Sequence, residues 1–199
     1  MSDPIPHTRN RLGNAISLIT HPLVVFVPTL VIVMRHTDPV LAAAWIGFIA
    51  LVILALAYIM MRWMRQQGRH TYQRESRHLI YLVFWVSMVI CTALAVLLNA
   101  PERLRFSLLS LCVWVPLQSL INARCTKISI HVAVISGIAM ALILMGELSS
   151  PPMIAAAAVV VLATAWARIM TGNHSPTQVS LGVMVSVASV LVARGVTLA

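Results

Sequence analysis

The 199-residue chain is 60% hydrophobic, only 10% of its residues are charged, and its mean hydropathy is +0.92. Soluble domains carry about 25% charged residues, so this composition excludes an ordinary soluble fold and identifies a polytopic membrane protein. The formal net charge of +9 does not point to nucleic acid, because the basic residues sit in short connections between apolar runs, where membrane topology places them.

Residues 1–14 are polar and lead into a run of about spanning length, not into the short apolar core and small-residue cleavage site of a signal peptide, so the segment reads as uncleaved. A helix needs about 20 apolar residues to cross roughly 30 Å of hydrocarbon. Seven runs near that length follow, at about 15–35, 39–61, 79–98, 104–121, 130–147, 151–168 and 177–197. They predict an all-α, polytopic transmembrane helical bundle of about seven spans, forming one integral-membrane domain over residues 1–199. His21-Pro22, inside the first run, marks a kink. The sixth run is only mildly apolar at Ala155–Ala158, and without it the last polar segment would fall on the other face.

Three breaks, Arg35–Pro39, Asn99–Arg103 and Gly146–Pro152, combine charge with proline and read as the tight turns of helical hairpins. Each hairpin returns the chain to its starting side. The N-terminal segment and the longer polar segments 62–78, 122–129 and 169–176 are therefore expected on one membrane face. Cys91, Cys112 and Cys125 have no paired spacing, so neither a disulfide frame nor a zinc site is expected.

The polar segments hold the candidate chemistry. In the last of them, Trp166-Ala-Arg-Ile-Met-Thr-Gly-Asn-His-Ser-Pro-Thr-Gln178, Ser175 reads as an N-cap, Pro176 as the first helical residue and Gln178 as a capping-box glutamine. His174 then sits just before a helix N-terminus, where unpaired N–H groups favour an anion and disfavour a protonated imidazole. The segment before the fifth run offers Lys127, Ser129 and His131, with Ser129 as an expected N-cap. The segment before the third offers His70, Arg74, Arg77 and His78.

Arg168, five residues, His174, three residues, Gln178 is similar to the third signature motif of the type 2 phosphatidic acid phosphatases, in which serine precedes the arginine and aspartate closes the motif. Here Ala167 and Gln178 take those places. Ser129 and His131 resemble the family's second motif. Arg77, seven residues after His70, resembles its first, with His70 and His78 in the lysine and proline positions. The resemblance covers roughly residues 70–190 and implies a phosphatase-like core, for which six helices would suffice. It also implies a metal-independent, cofactor-free lipid phosphatase acting through a phosphohistidine. In that mechanism His174 attacks phosphorus, His131 protonates the leaving oxygen, Gln178 orients the nucleophile, and Arg77, Arg168, Lys127, Ser129 and Arg74 hold the phosphoryl oxygens. Glutamine in the aspartate position is common in the dolichyl-diphosphatase-like branch, which implies a polyprenyl phosphate or diphosphate.

The same departures from the motifs leave open a second reading, a catalytically weakened protein serving as a structural subunit of a larger membrane complex or as a homo-oligomer. For Gln178 the residues allow a capping role alone or capping together with ring orientation. Of the 14 basic residues, ten fall on the motif face, which the positive-inside rule makes cytoplasmic in the cell membrane, although setting aside Arg74, Arg77, Arg124, Lys127 and Arg168, which a phosphate site needs on either face, leaves five against four. Arg62 and Arg65 read as lipid-headgroup contacts, His21 and His70 as structural, and Arg194 as reaching for the interface.

Overall fold

The computed structural model describes residues 10–67 and 74–198, with the side chains of 74–78 and 198 excluded. Among them are eight helices and no strand: α1 (Arg11–Ile19), α2 (Pro22–Met34), α3 (Pro39–Gln66), α4 (Arg74–Leu97), α5 (Glu102–Arg124), α6 (Ile130–Leu144), α7 (Pro151–Met170) and α8 (Pro176–Leu198). The protein is all-α and transmembrane. Helices α3, α4, α5, α7 and α8 are long and apolar enough to cross a membrane, and α1 with α2 form one further run bent by 41°. The bend falls at His21-Pro22, as expected: proline cannot donate the next helical hydrogen bond and restricts the residue before it.

One expectation about the spans changes. The run at 151–168 forms the 20-residue helix α7, as expected. The run at 130–147 instead yields the 15-residue α6, which at 1.5 Å per residue reaches only about 22 Å.

The helix ends follow from turn chemistry. Three helices close on a residue with positive φ, namely Asn99 (φ 50), Gly146 (φ 76) and Gly172 (φ 68). At each, two backbone bonds reach back to satisfy the last carbonyls: Asn99 N–H to Val96 and Ala100 N–H to Ala95, Gly146 to Ile143 and Glu147 to Leu142, Gly172 to Ile169 and Asn173 to Arg168. This is the Schellman arrangement, which needs a residue that tolerates the left-handed region. Helix α3 starts on Asp38, whose Oδ1 accepts from the N–H groups of Val40 and Leu41 at 3.0 Å.

The chain packs as two compact units, one of Met1–Phe26 with Lys127–Val187 and the other of Val27–Thr126 with Ala188–Ala199. In the second, α5 lies along α4. Pro116 leaves the Cys112 carbonyl without its helical donor, and the Trp85 indole N–H takes it at 2.9 Å. Arg194 pairs with Glu102 at 3.7 Å and lies over the Phe106 ring.

In the first unit α7 packs on both α6 and α1. Bare backbone permits the close approaches: Gly13 of α1 meets the Thr171 methyl, where an added Cβ would stand 3.1 Å away, and Gly182 of α8 meets the Ser129 carbonyl, where it would stand 3.0 Å away. The Ser129 N–H also donates to the Gln178 carbonyl at 3.3 Å, and Ser186 Oγ donates to the Ala133 carbonyl. Helix α8 is thereby tied to the start of α6.

Gly182 and Gly195 separate this constraint from helix propensity, since nothing lies within 4 Å of a Cβ at Gly195. Gly182→Ala should lower the thermal midpoint in detergent by an amount equivalent to about 1–3 kcal/mol of overpacking. Gly195→Ala should leave it unchanged or slightly raised.

Candidate functional site

Four elements of the first unit converge: the junction of α1 and α2, the start of α6, the end of α7, and the turn from α7 into α8. The turn is locked at both ends. On the α7 side the Arg168 carbonyl accepts the N–H groups of both Asn173 and His174 at 3.2 Å. On the α8 side Ser175 and Gln178 form the expected capping box, with Gln178 N–H donating to Ser175 Oγ and Ser175 N–H donating to Gln178 Oε1, each at 3.3 Å. His174 is the one residue between the two motifs, so its backbone has little freedom.

Gln178 caps the helix and orients the ring together. Its Oε1 lies 3.1 Å from His174 Nδ1. Because Ser175 N–H donates to the same atom, that atom is the amide oxygen, an acceptor only. An amide oxygen has two lone pairs, one for each donor. The Lys127 backbone also hydrogen-bonds the ring. Both contacts favour the charged imidazole, yet burial first and the Lys127 cation second, reinforced by Arg168, push the His174 pKa down to about 4. The half-buried ring is neutral at pH 7, and its Nδ1–H donates to Gln178 Oε1.

His131 lies in the first turn of α6, within electrostatic reach of Arg168, His174 and His21. Ser129 occupies the expected N-cap position, but its side chain does not cap. It is fully buried, and Oγ has no hydrogen-bond partner. Arg168 sits in the last turn of α7, where a cation complements the helix dipole. The structure thus gathers His131, His174, Gln178, Arg168, Lys127 and Ser129 into one unit, although Arg168 and Lys127 are 41 residues apart in sequence.

The other expected phosphate contacts, Arg74 and Arg77, start α4, with side chains outside the described residues. His70 lies outside the described residues altogether. Arg62 and Arg65, with Tyr58, Met61 and Gln66, line a groove of about 280 Å³ at the end of α3 in the other unit.

Sequence reasoning missed His21. It marks the kink, but its ring also meets that of His131 edge to face, with centroids 5.1 Å apart and planes at 83°. The available signal was an ionisable residue inside an apolar run, which in a membrane protein is a functional candidate by default. Among the described residues no group of three or more His, Cys, Asp or Glu side chains has metal-binding geometry.

The electrostatics predict opposite responses at His174. Gln178→Leu removes a contact that favours the cation and should move the titration below about pH 4, whereas Lys127→Gln removes a repelling charge and should raise it. Ring 15N shifts followed against pH in detergent read both changes, and a rise in the leucine variant would contradict the assigned hydrogen bond.

Comparison with protein-family models, with curated proteins and with solved structures finds no match for this chain.

Proposed function

We propose that the chain is an integral-membrane phosphatase that hydrolyses a lipid phosphate ester or anhydride through a phosphohistidine. The observation that carries this reading is the neutral His174, held by Gln178 Oε1 through Nδ1 within electrostatic reach of Lys127 and Arg168. With the ring proton on Nδ1, Nε2 keeps its lone pair for attack. Phosphoryl transfer asks chiefly for alignment and for positive charge around the phosphoryl oxygens. Arg168, Lys127 and the N-termini of α6 and α8 supply that charge.

In this mechanism Nε2 of His174 bonds to phosphorus as the bond to the leaving oxygen breaks. The anionic group beside His131 favours its protonated form, and that proton passes to the leaving oxygen. His131 then takes a proton from the water that cleaves the N–P bond, and phosphate leaves with His174 neutral again. A glutamine in the orienting position holds the tautomer but does not neutralise the imidazolium-like intermediate. The Lys127 backbone contact offers a second acceptor for that charge.

A lipid substrate follows from the setting, in which the site forms at the ends of apolar helices and the phosphate can be held while its tail stays among acyl chains. The glutamine resemblance favours a polyprenyl phosphate or diphosphate. The excess of basic residues on the motif segments favours a cytoplasmic site in the cell membrane.

Purified protein in detergent with chelator should release phosphate from polyprenyl diphosphate or phosphatidic acid. His174→Ala should reduce the rate by about 10³-fold or more, and Gln178→Leu by about 100-fold, through loss of ring orientation. Gln178→Asp should remain active. Absence of release from both lipid classes by folded wild-type protein would overturn the proposal.

A further inference from the structure

We propose, resting on the phosphatase reading above, that His21 is a positioning residue: its ring holds the imidazole of His131 at the angle needed to deliver a proton to the leaving oxygen. The two residues are 110 positions apart and meet only because α1 packs on α7 beside the start of α6.

His21 is itself held in one state. Its Nδ1 accepts the Leu23 N–H at 3.2 Å, and its carbonyl accepts from Val24 and Val25 at 2.8 and 3.1 Å, so it serves as the N-cap of α2. A nitrogen that accepts a backbone N–H cannot also carry a proton, so the neutral ring bears its hydrogen on Nε2. Protonating Nδ1 would cost the cap and place a cation within electrostatic reach of Arg168. The ring is therefore fixed in tautomer by the helix it starts and fixed in place by the α1–α2 bend. It presents a rigid edge-to-face contact at 83° to His131, a geometry aromatic pairs prefer. A general acid gains from such constraint because proton transfer needs the donor aligned on the leaving atom.

Two substitutions separate the ring contact from the cap. His21→Asn keeps a good N-cap acceptor and removes the ring. His21→Phe keeps an edge-to-face ring and removes the cap acceptor. The expected result for asparagine is a thermal midpoint near wild type, kcat lowered about tenfold with KM unchanged, and His131 ring protons averaging over several rotamers in NOE spectra of histidine-labelled protein. For phenylalanine a lower midpoint is expected, with a single His131 rotamer and kcat near wild type. The proposal is overturned if asparagine leaves the His131 rotamer and kcat as in wild type, or if phenylalanine loses kcat as fully as asparagine. If wild-type protein releases no phosphate, the phosphatase reading fails, and the His131 rotamer in the asparagine variant still decides whether His21 orients that ring.

Discussion

The first unit is organised by the contact between the start of α8 and the segment that precedes α6. The Ser129 N–H meets the Gln178 carbonyl, and one turn later the bare Gly182 backbone lies against the Ser129 carbonyl. Side by side, two helix N-termini concentrate partial positive charge. Arg168 and Lys127 add full charges to the same region. Such a site resists further cations, which is one physical reason the His174 ring stays neutral, and it attracts an anion. The packing that assembles the helices therefore also sets the electrostatics of the site.

Positioning is achieved with local backbone motifs and few side chains. A Schellman turn ends α7 at Gly172 and a capping box begins α8 at Ser175, so His174 is placed by hydrogen bonds that the helix ends require in any case. Pre-organised geometry of this kind would lower the entropic cost of alignment in the proposed reaction. Helix α6 contributes in another way. It is too short to span by itself, and its buried N-cap serine leaves the capping role unused.

Much of the fold was legible because it depends on near neighbours. The apolar runs, the proline-marked breaks, the kink at His21-Pro22 and the capping box at Ser175–Gln178 involve residues no more than a few positions apart, and all reappear in the structure. The expected break at Gly146 does end α6, where Gly146 takes a positive φ, but the cap falls at Met145, so the helix is shorter than the run at 130–147. Ser129 was recognised by position, yet whether a serine hydroxyl turns to its helix or away from it depends on what packs over it, and α8 packs there. For Gln178, the sequence left open capping alone or capping together with ring orientation, and one amide oxygen with two lone pairs performs both.

By itself the sequence determined that the chain is an all-α membrane protein, roughly where its helices begin and end, and that His174 precedes a capped helix N-terminus. These follow from hydropathy and from interactions spanning at most about one helical turn. Only the tertiary structure decided that His21, His131, Arg168 and His174 share one cluster, and that the histidine of the kink belongs with them. Contacts between residues as far apart as His21 and His131 depend on which helix faces pack together, and that choice is made by shape, as at Gly13 against Thr171 and Gly182 against Ser129, which no local pattern in the chain encodes.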